Sequence, residues 1–224
     1  MDMSKLKDLF ENLINEDFAA AKIYDRLITV REFPTVHKDD WIPVTMIEPD
    51  YKLGPWIAGG AALRWFQNLP VGENDIDVFC SNARQAEDVI QRIKSYGRFT
   101  VKYESDNAVT LEAWEQSDYE NRWTIQIIKR RYFNSLKDVI GSFDITVCEI
   151  GTSGNEWELG AFTAKDIKGR HLRFKLPLQP DSVKRLTKYW IYGYEPVEGT
   201  LDLITNSPQT KWEYAVDEDY QNAF

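Results

Sequence analysis

The 224-residue sequence predicts an α+β protein in which a mixed β-sheet is flanked by helices, with a helical extension before it and a C-terminal helix after it. Three observations predict this class. Short apolar runs at 56–58, 75–80, 99–103, 108–113, 123–128, 142–150 and 157–163 have the length and β-branched or aromatic content of strands. Helical periods fall between them, at 61–69, 83–96, 135–140 and 181–192. The last of these periods, over 181–192, lies past the final apolar run and makes a C-terminal helix, opened by Pro180-Asp181 and closed by Gly193.

The elements follow in order. Residues 4–31 carry Leu6, Phe10, Leu13, Ile14, Ile23, Tyr24 and Leu27 at helical spacing, and Pro34 ends the pattern. Residues 35–54 read as irregular, punctuated by Pro43 and Pro49. Trp56–Ala58 is a strand, Gly59-Gly60 a tight turn, and the helix after it stops at Pro70. Ala86, Val89, Ile90 and Ile93 line one face of the 83–96 helix, and Gly97 closes it. In the 181–192 helix, Val183, Leu186, Thr187 and Trp190 form one face at 100° per residue, and Lys184, Arg185 and Lys188 another. The expected divisions are a helical extension over 1–50, a catalytic-type domain over 51–195 and an acidic tail over 196–224.

Charge and composition narrow the function. The net charge of −9 argues against a protein that simply coats nucleic acid. The charge is uneven, because residues 121–190 hold 13 Lys/Arg against 7 Asp/Glu, a balance of +6. That basic half can be a solvated surface or a wall facing phosphates. No apolar run reaches membrane-spanning length, and the N-terminus lacks a signal-peptide pattern, so a cytoplasmic protein without a membrane partner is expected. Cys80 and Cys148 sit in apolar segments and read as buried thiols.

The chemistry concentrates in "WIAGGAALRWFQNLPVGENDIDVFC". Side chains on a strand alternate faces, so Asp75 and Asp77 point the same way, roughly 6.5–7 Å apart, while Ile76 and Val78 anchor the core. Burying two such carboxylates is costly unless something compensates, and a divalent cation does. A third acid, Asp144, lies between Phe143 and Ile145 in "SFDITVCEI"; if that strand pairs with the Asp75–Cys80 strand, three carboxylates converge. Hard oxygen ligands favour Mg²⁺ or Mn²⁺, the ions that assist phosphoryl transfer. Gly59-Gly60 lets backbone approach a phosphate closely.

The order strand, Gly-Gly, helix, Asp-Ile-Asp strand and later "FDI" resembles the nucleotidyltransferase superfamily, the polymerase-beta-like fold. Over residues 55–195 it looks most like the head of the CCA-adding and bacterial poly(A) polymerase group, with Arg64 after the glycine pair and "KDIKGRHLRF" and "DSVKRLTKYWIYGYE" further on. The resemblance implies that Gly59, Gly60, Arg64, Lys184 and Lys188 hold a nucleoside triphosphate. It also implies that Asp75, Asp77 and Asp144 are the metal-binding catalytic carboxylates. The implied activity moves a nucleoside monophosphate from the triphosphate to an acceptor hydroxyl, on RNA or protein, with release of pyrophosphate. Trp65 stands where that group usually has Asp, the motif that reads the base there is absent from this sequence, and no tRNA-binding body is expected. A non-catalytic nucleotide-binding or interaction module, regulatory or antitoxin-like, is the alternative on the same fold.

Overall fold

A computed structural model describes residues 36–37, 40–72, 74–113 and 123–207. The chain divides into compact units at 1–32 and 33–224, and all described residues belong to the second. The expected helices over 4–31 and the end of the acidic tail lie outside the described residues.

The described elements are α1 (Trp41–Ile47), β1 (Trp56–Ala58), α2 (Gly60–Phe66), β2 (Ile76–Phe79), α3 (Ala83–Ser95), β3 (Phe99–Glu104), β4 (Ala108–Ala113), β5 (Trp123–Ile128), α4 (Leu136–Gly141), β6 (Ile150–Thr152), β7 (Trp157–Leu159), α5 (Thr163–Gly169), β8 (His171–Leu172), α6 (Ser182–Ile191), β9 (Glu195–Pro196) and α7 (Thr200–Thr205). β1 to β7 form one mixed sheet in the order β3-β4-β5-β2-β1-β6-β7. β2 and β5 pair in parallel, and the other neighbours are antiparallel. The α+β class expected from the sequence is the one observed. None of the described helices is long and apolar enough to cross a membrane.

The core follows the alternation rule. In β2, Ile76 and Val78 are fully buried while Asp77 between them faces the other side. In β5, Ile125 and Ile127 are fully buried and Gln126 is half-buried. Helix α3 packs Ala86, Val89, Ile90 and Ile93 inward, starts where the Asn82 side chain accepts from Gln85 N at 2.9 Å, and ends before Gly97 at φ +68°.

Several local expectations fail. The segment 35–54 contains helix α1, because Pro43 falls in its first turn, where the missing N–H costs no intrahelical bond. The expected strand over 142–150 is broken up: Ile145 makes an isolated bridge to Phe174, Thr146–Cys148 is a turn of 3₁₀ helix, and only Ile150 onward joins the sheet. The expected strand over 157–163 stops at Leu159, and Thr163 begins α5. In α6 the buried stripe is Val183, Leu186 and Tyr189, which leaves Trp190 55% exposed.

One buried carboxylate ties the layers together. Asp40 accepts from the indole of Trp65 (2.8 Å), the indole of Trp123 (3.1 Å) and the backbone N of Val71 (2.8 Å). Trp65 is therefore a fully buried packing residue with its N–H already spent. Asp40→Ala strands three donors in the interior and is expected to cost about 3 kcal/mol, read as a lowered urea midpoint at unchanged m-value.

Candidate functional site

The site grows from the centre of the sheet. β1 runs antiparallel to β2, with Trp56 opposite Phe79 and Ile57 opposite Val78. The chain leaving β1 therefore turns at Gly59-Gly60 beside the Asp75 end of β2. Gly59 adopts φ +81°, a region side chains avoid, and its N–H donates to Ile150 O at 2.9 Å. A Cβ there would lie 3.3 Å from the Phe143 ring and 3.9 Å from Asp77 Oδ2. The turn is thus packed on one flank and faces the acidic pair on the other. Gly60 is open among the described residues, with only the Tyr189 hydroxyl 3.9 Å from a Cβ position.

Gly59, Gly60, Asp75, Asp77 and Lys188 line one cleft of about 440 Å³, together with Gln126, Arg130, Phe143, Cys148, Arg185 and Tyr189. Burial first, and then the neighbouring Asp75, push the Asp77 carboxyl up to about 7, against the pull of Lys188, Arg130 and Arg185. Asp75 is exposed as a residue, yet its carboxylate is withdrawn far enough from water to hold it above the ordinary range, opposed by Lys188 and Lys102. Two acids strained toward protonation beside a basic wall suit a divalent cation, which would hold both in the charged form.

The remaining residues named from the sequence are placed elsewhere. Arg64 donates from Nε to Pro70 O at 2.6 Å and lines a smaller cavity behind Gly60. Lys184 does not line the cleft. Asp144 is 1% exposed and does not line it either. Its Oδ2 accepts from Gln179 N (2.9 Å), from the Ser182 hydroxyl and from Arg185 Nη2 (3.1 Å), and its Oδ1 lies 2.9 Å from Arg185 Nη1. The expected convergence of three carboxylates does not form, because the Asp144 segment is not a strand beside β2. Among the described residues no three His, Cys, Asp or Glu side chains are grouped to hold a metal ion.

The strand that does lie beside β2 is β5, and its register sets Gln126 opposite Asp77. Sequence reading missed this residue, since nothing local in "WTIQII" announces which strand it will face. It also missed Tyr189, whereas Cys148 is the buried thiol that the sequence reads. The Cys148 thiol donates to the Tyr189 hydroxyl at 2.9 Å, and burial pushes that thiol up to about 11. Both are inward-facing neighbours of the cleft rather than free nucleophiles.

The model of the Gabija anti-defense 2 (Gad2) family matches residues 32–170. The chain belongs to the Gabija anti-defense 2 family. The family match takes in the Gly-Gly turn, the acidic strand and Asp144, but stops before α6 and so leaves out Arg185 and Lys188. No curated protein matches by sequence. Among solved structures, the Bacillus stearothermophilus CCA-adding enzyme in complex with CTP is similar at TM-score 0.51 and 14% identity, over 76% of this chain and 44% of that one. The Thermotoga maritima CCA-adding enzyme complexed with tRNA is similar at TM-score 0.50 and 13% identity, over 78% and 45%. A CCA-adding enzyme with ATP is similar at TM-score 0.50 and 15% identity, over 78% and 44%. This Gabija anti-defense 2 chain thus has a nucleotidyltransferase-like fold and spans under half the length of those enzymes.

Proposed function

We propose that the chain counters Gabija defence as a metal-dependent nucleotidyltransferase, moving a nucleoside monophosphate from a triphosphate to an acceptor hydroxyl on RNA or protein. The observation that carries this reading is one cleft in which the Gly59-Gly60 turn, the Asp75/Asp77 pair and the cations Arg185 and Lys188 face each other. Asp75 and Asp77 fit a hard divalent ion, since each is held above its ordinary pKa by surroundings that such an ion would relieve. Mg²⁺ or Mn²⁺ bound there supplies charge neutralisation and Lewis acidity at the transferred phosphoryl group.

The chain's own residues do the rest. Gly60 leaves room for phosphate oxygens against the backbone, and Lys188 balances their charge. The acceptor oxygen bonds to the α-phosphorus as the bond to the β-phosphate bridging oxygen breaks; pyrophosphate leaves and the hydroxyl proton passes to water. Most of the acceleration is positioning and fixed charge.

Gln126 favours a second reading, nucleotide binding without turnover. An amide stands opposite Asp77 on the adjacent strand, and Asp144 is engaged with Arg185. The test is incubation of the purified chain with each α-labelled triphosphate, Mg²⁺ or Mn²⁺, and pooled RNA or protein. Label transfer lost in Asp75→Asn supports the transferase. Calorimetric binding that needs the metal, with no pyrophosphate released over hours, supports the binding module. Neither binding nor transfer sinks both.

A further inference from the structure

The cleft leads into a smaller cavity at each end, and the two share no lining residue. One, of about 220 Å³, lies past Gly60, Asn74 and Tyr189. The other, of about 280 Å³, lies past Phe79, Arg130, Phe143 and Arg185. β2 gives the direction. Asp75, Asp77 and Phe79 recur at every second position, so they face one side at steps of roughly 6.5–7 Å. The antiparallel register of β1 puts the glycine turn at the Asp75 end, and Phe79 opens the other. A phosphorus atom at the acid pair with its polyphosphate tail on the glycines therefore has the second cavity on its opposite side.

That second cavity has the chemistry of a flat ring's pocket. Phe79 meets Phe133 and Phe143 edge-on, each at 5.8 Å between centroids. The Arg131 guanidinium lies 4.8 Å over Phe133. Arg185 Nε is buried with no hydrogen-bond partner among the described residues. The Gln179 backbone N is held by Asp144, while its side-chain amide makes no hydrogen bond to a described residue and offers both a donor and an acceptor. Apolar walls with a few convergent polar groups are what a heterocycle needs. The volume takes one ring system, not a run of them.

We infer that this cavity is the nucleobase subsite of the triphosphate site: the base packs against Phe143 and Phe133, the Gln179 amide reads its edge, and Arg185 bridges base and phosphate ends. The inference rests on the nucleotide-binding reading above.

The test is equilibrium binding, with Mg²⁺, of the four ribonucleoside triphosphates and of inorganic triphosphate to the wild-type chain, Phe133→Leu and Gln179→Leu. Phe133→Leu, in the second cavity and outside the phosphate cleft, is expected to weaken every nucleoside triphosphate by about tenfold and leave inorganic triphosphate within about twofold. Gln179→Leu, at a half-buried loop position, is expected to bring the four affinities within about threefold of one another. Unchanged nucleotide affinity and selectivity in both variants overturns the assignment and hands the cavity to the acceptor. A parallel fall for inorganic triphosphate overturns it too, because the damage then lies at the phosphate end. A wild-type chain that binds inorganic triphosphate but shows no added affinity for any nucleotide overturns the subsite alone, whereas one that binds neither ligand overturns the nucleotide-binding reading with it.

Discussion

Asp77→Asn is expected to abolish Mg²⁺-dependent nucleotide binding while raising the melting temperature of the metal-free protein at pH 8 by several degrees. The carboxyl is pushed from an ordinary value of 3.8 up to about 7, so the folded state holds a proton that the unfolded state has released throughout that window. Stability therefore falls as pH rises from about 4 to about 7 and stays lowered above it. Asparagine carries no charge to bury, and its gain builds up between about pH 4 and pH 7, levels off on the order of 2–3 kcal/mol for a half-buried group above that, and disappears near pH 4. The ion has the opposite dependence. Binding must displace the proton, so Mg²⁺ affinity of the wild type is expected to drop as pH falls through about 7. Melting curves of both proteins at pH 5 and pH 8, with and without Mg²⁺, check all of this. A variant no more stable than wild type at pH 8 removes Asp77 from the strained position assigned to it.

Asp144→Ala is expected to lose about 4 kcal/mol of stability, because it leaves the Arg185 guanidinium and the Ser182 hydroxyl facing an empty, buried site. The sequence alone suggests the reverse, a metal ligand whose loss spares the fold. The Asp144→Ala/Arg185→Ala cycle separates the two views. Removing both partners is expected to be less damaging than the sum of the single losses, with a coupling of more than about 1.5 kcal/mol. Urea unfolding of the four proteins measures it. A fully stable Asp144→Ala that no longer responds to Mg²⁺ would return Asp144 to the metal.

The contrast shows which parts of the site could be read from the sequence. β1, the glycine turn, α2 and β2 are contiguous, and their polarity alternates at strand and helix periods, so a local reading recovers them. Helices α3 and α6 are amphipathic enough to be found, although the inward stripe of α6 settles on Tyr189 rather than Trp190, a rotation decided by what it packs against. "SFDITVCEI" misleads because a continuous apolar run has no period to reveal that it turns through 3₁₀ geometry toward Phe174. Asp144 finds its partners on α6, and Gln126 finds Asp77 through parallel pairing with a strand well upstream. Both relations are tertiary, and neither leaves a mark on the adjacent residues. The Asp40 hub joins three distant segments in the same way.

The hydrogen bond from Gly59 to Ile150 has a temporal meaning. Four strands separate the two residues along the chain, and the glycine turn is fixed only when β6 docks on β1. During synthesis the acidic strand emerges long before the segment that completes its neighbour, so the set of the glycine turn marks a closed sheet rather than a formed first half.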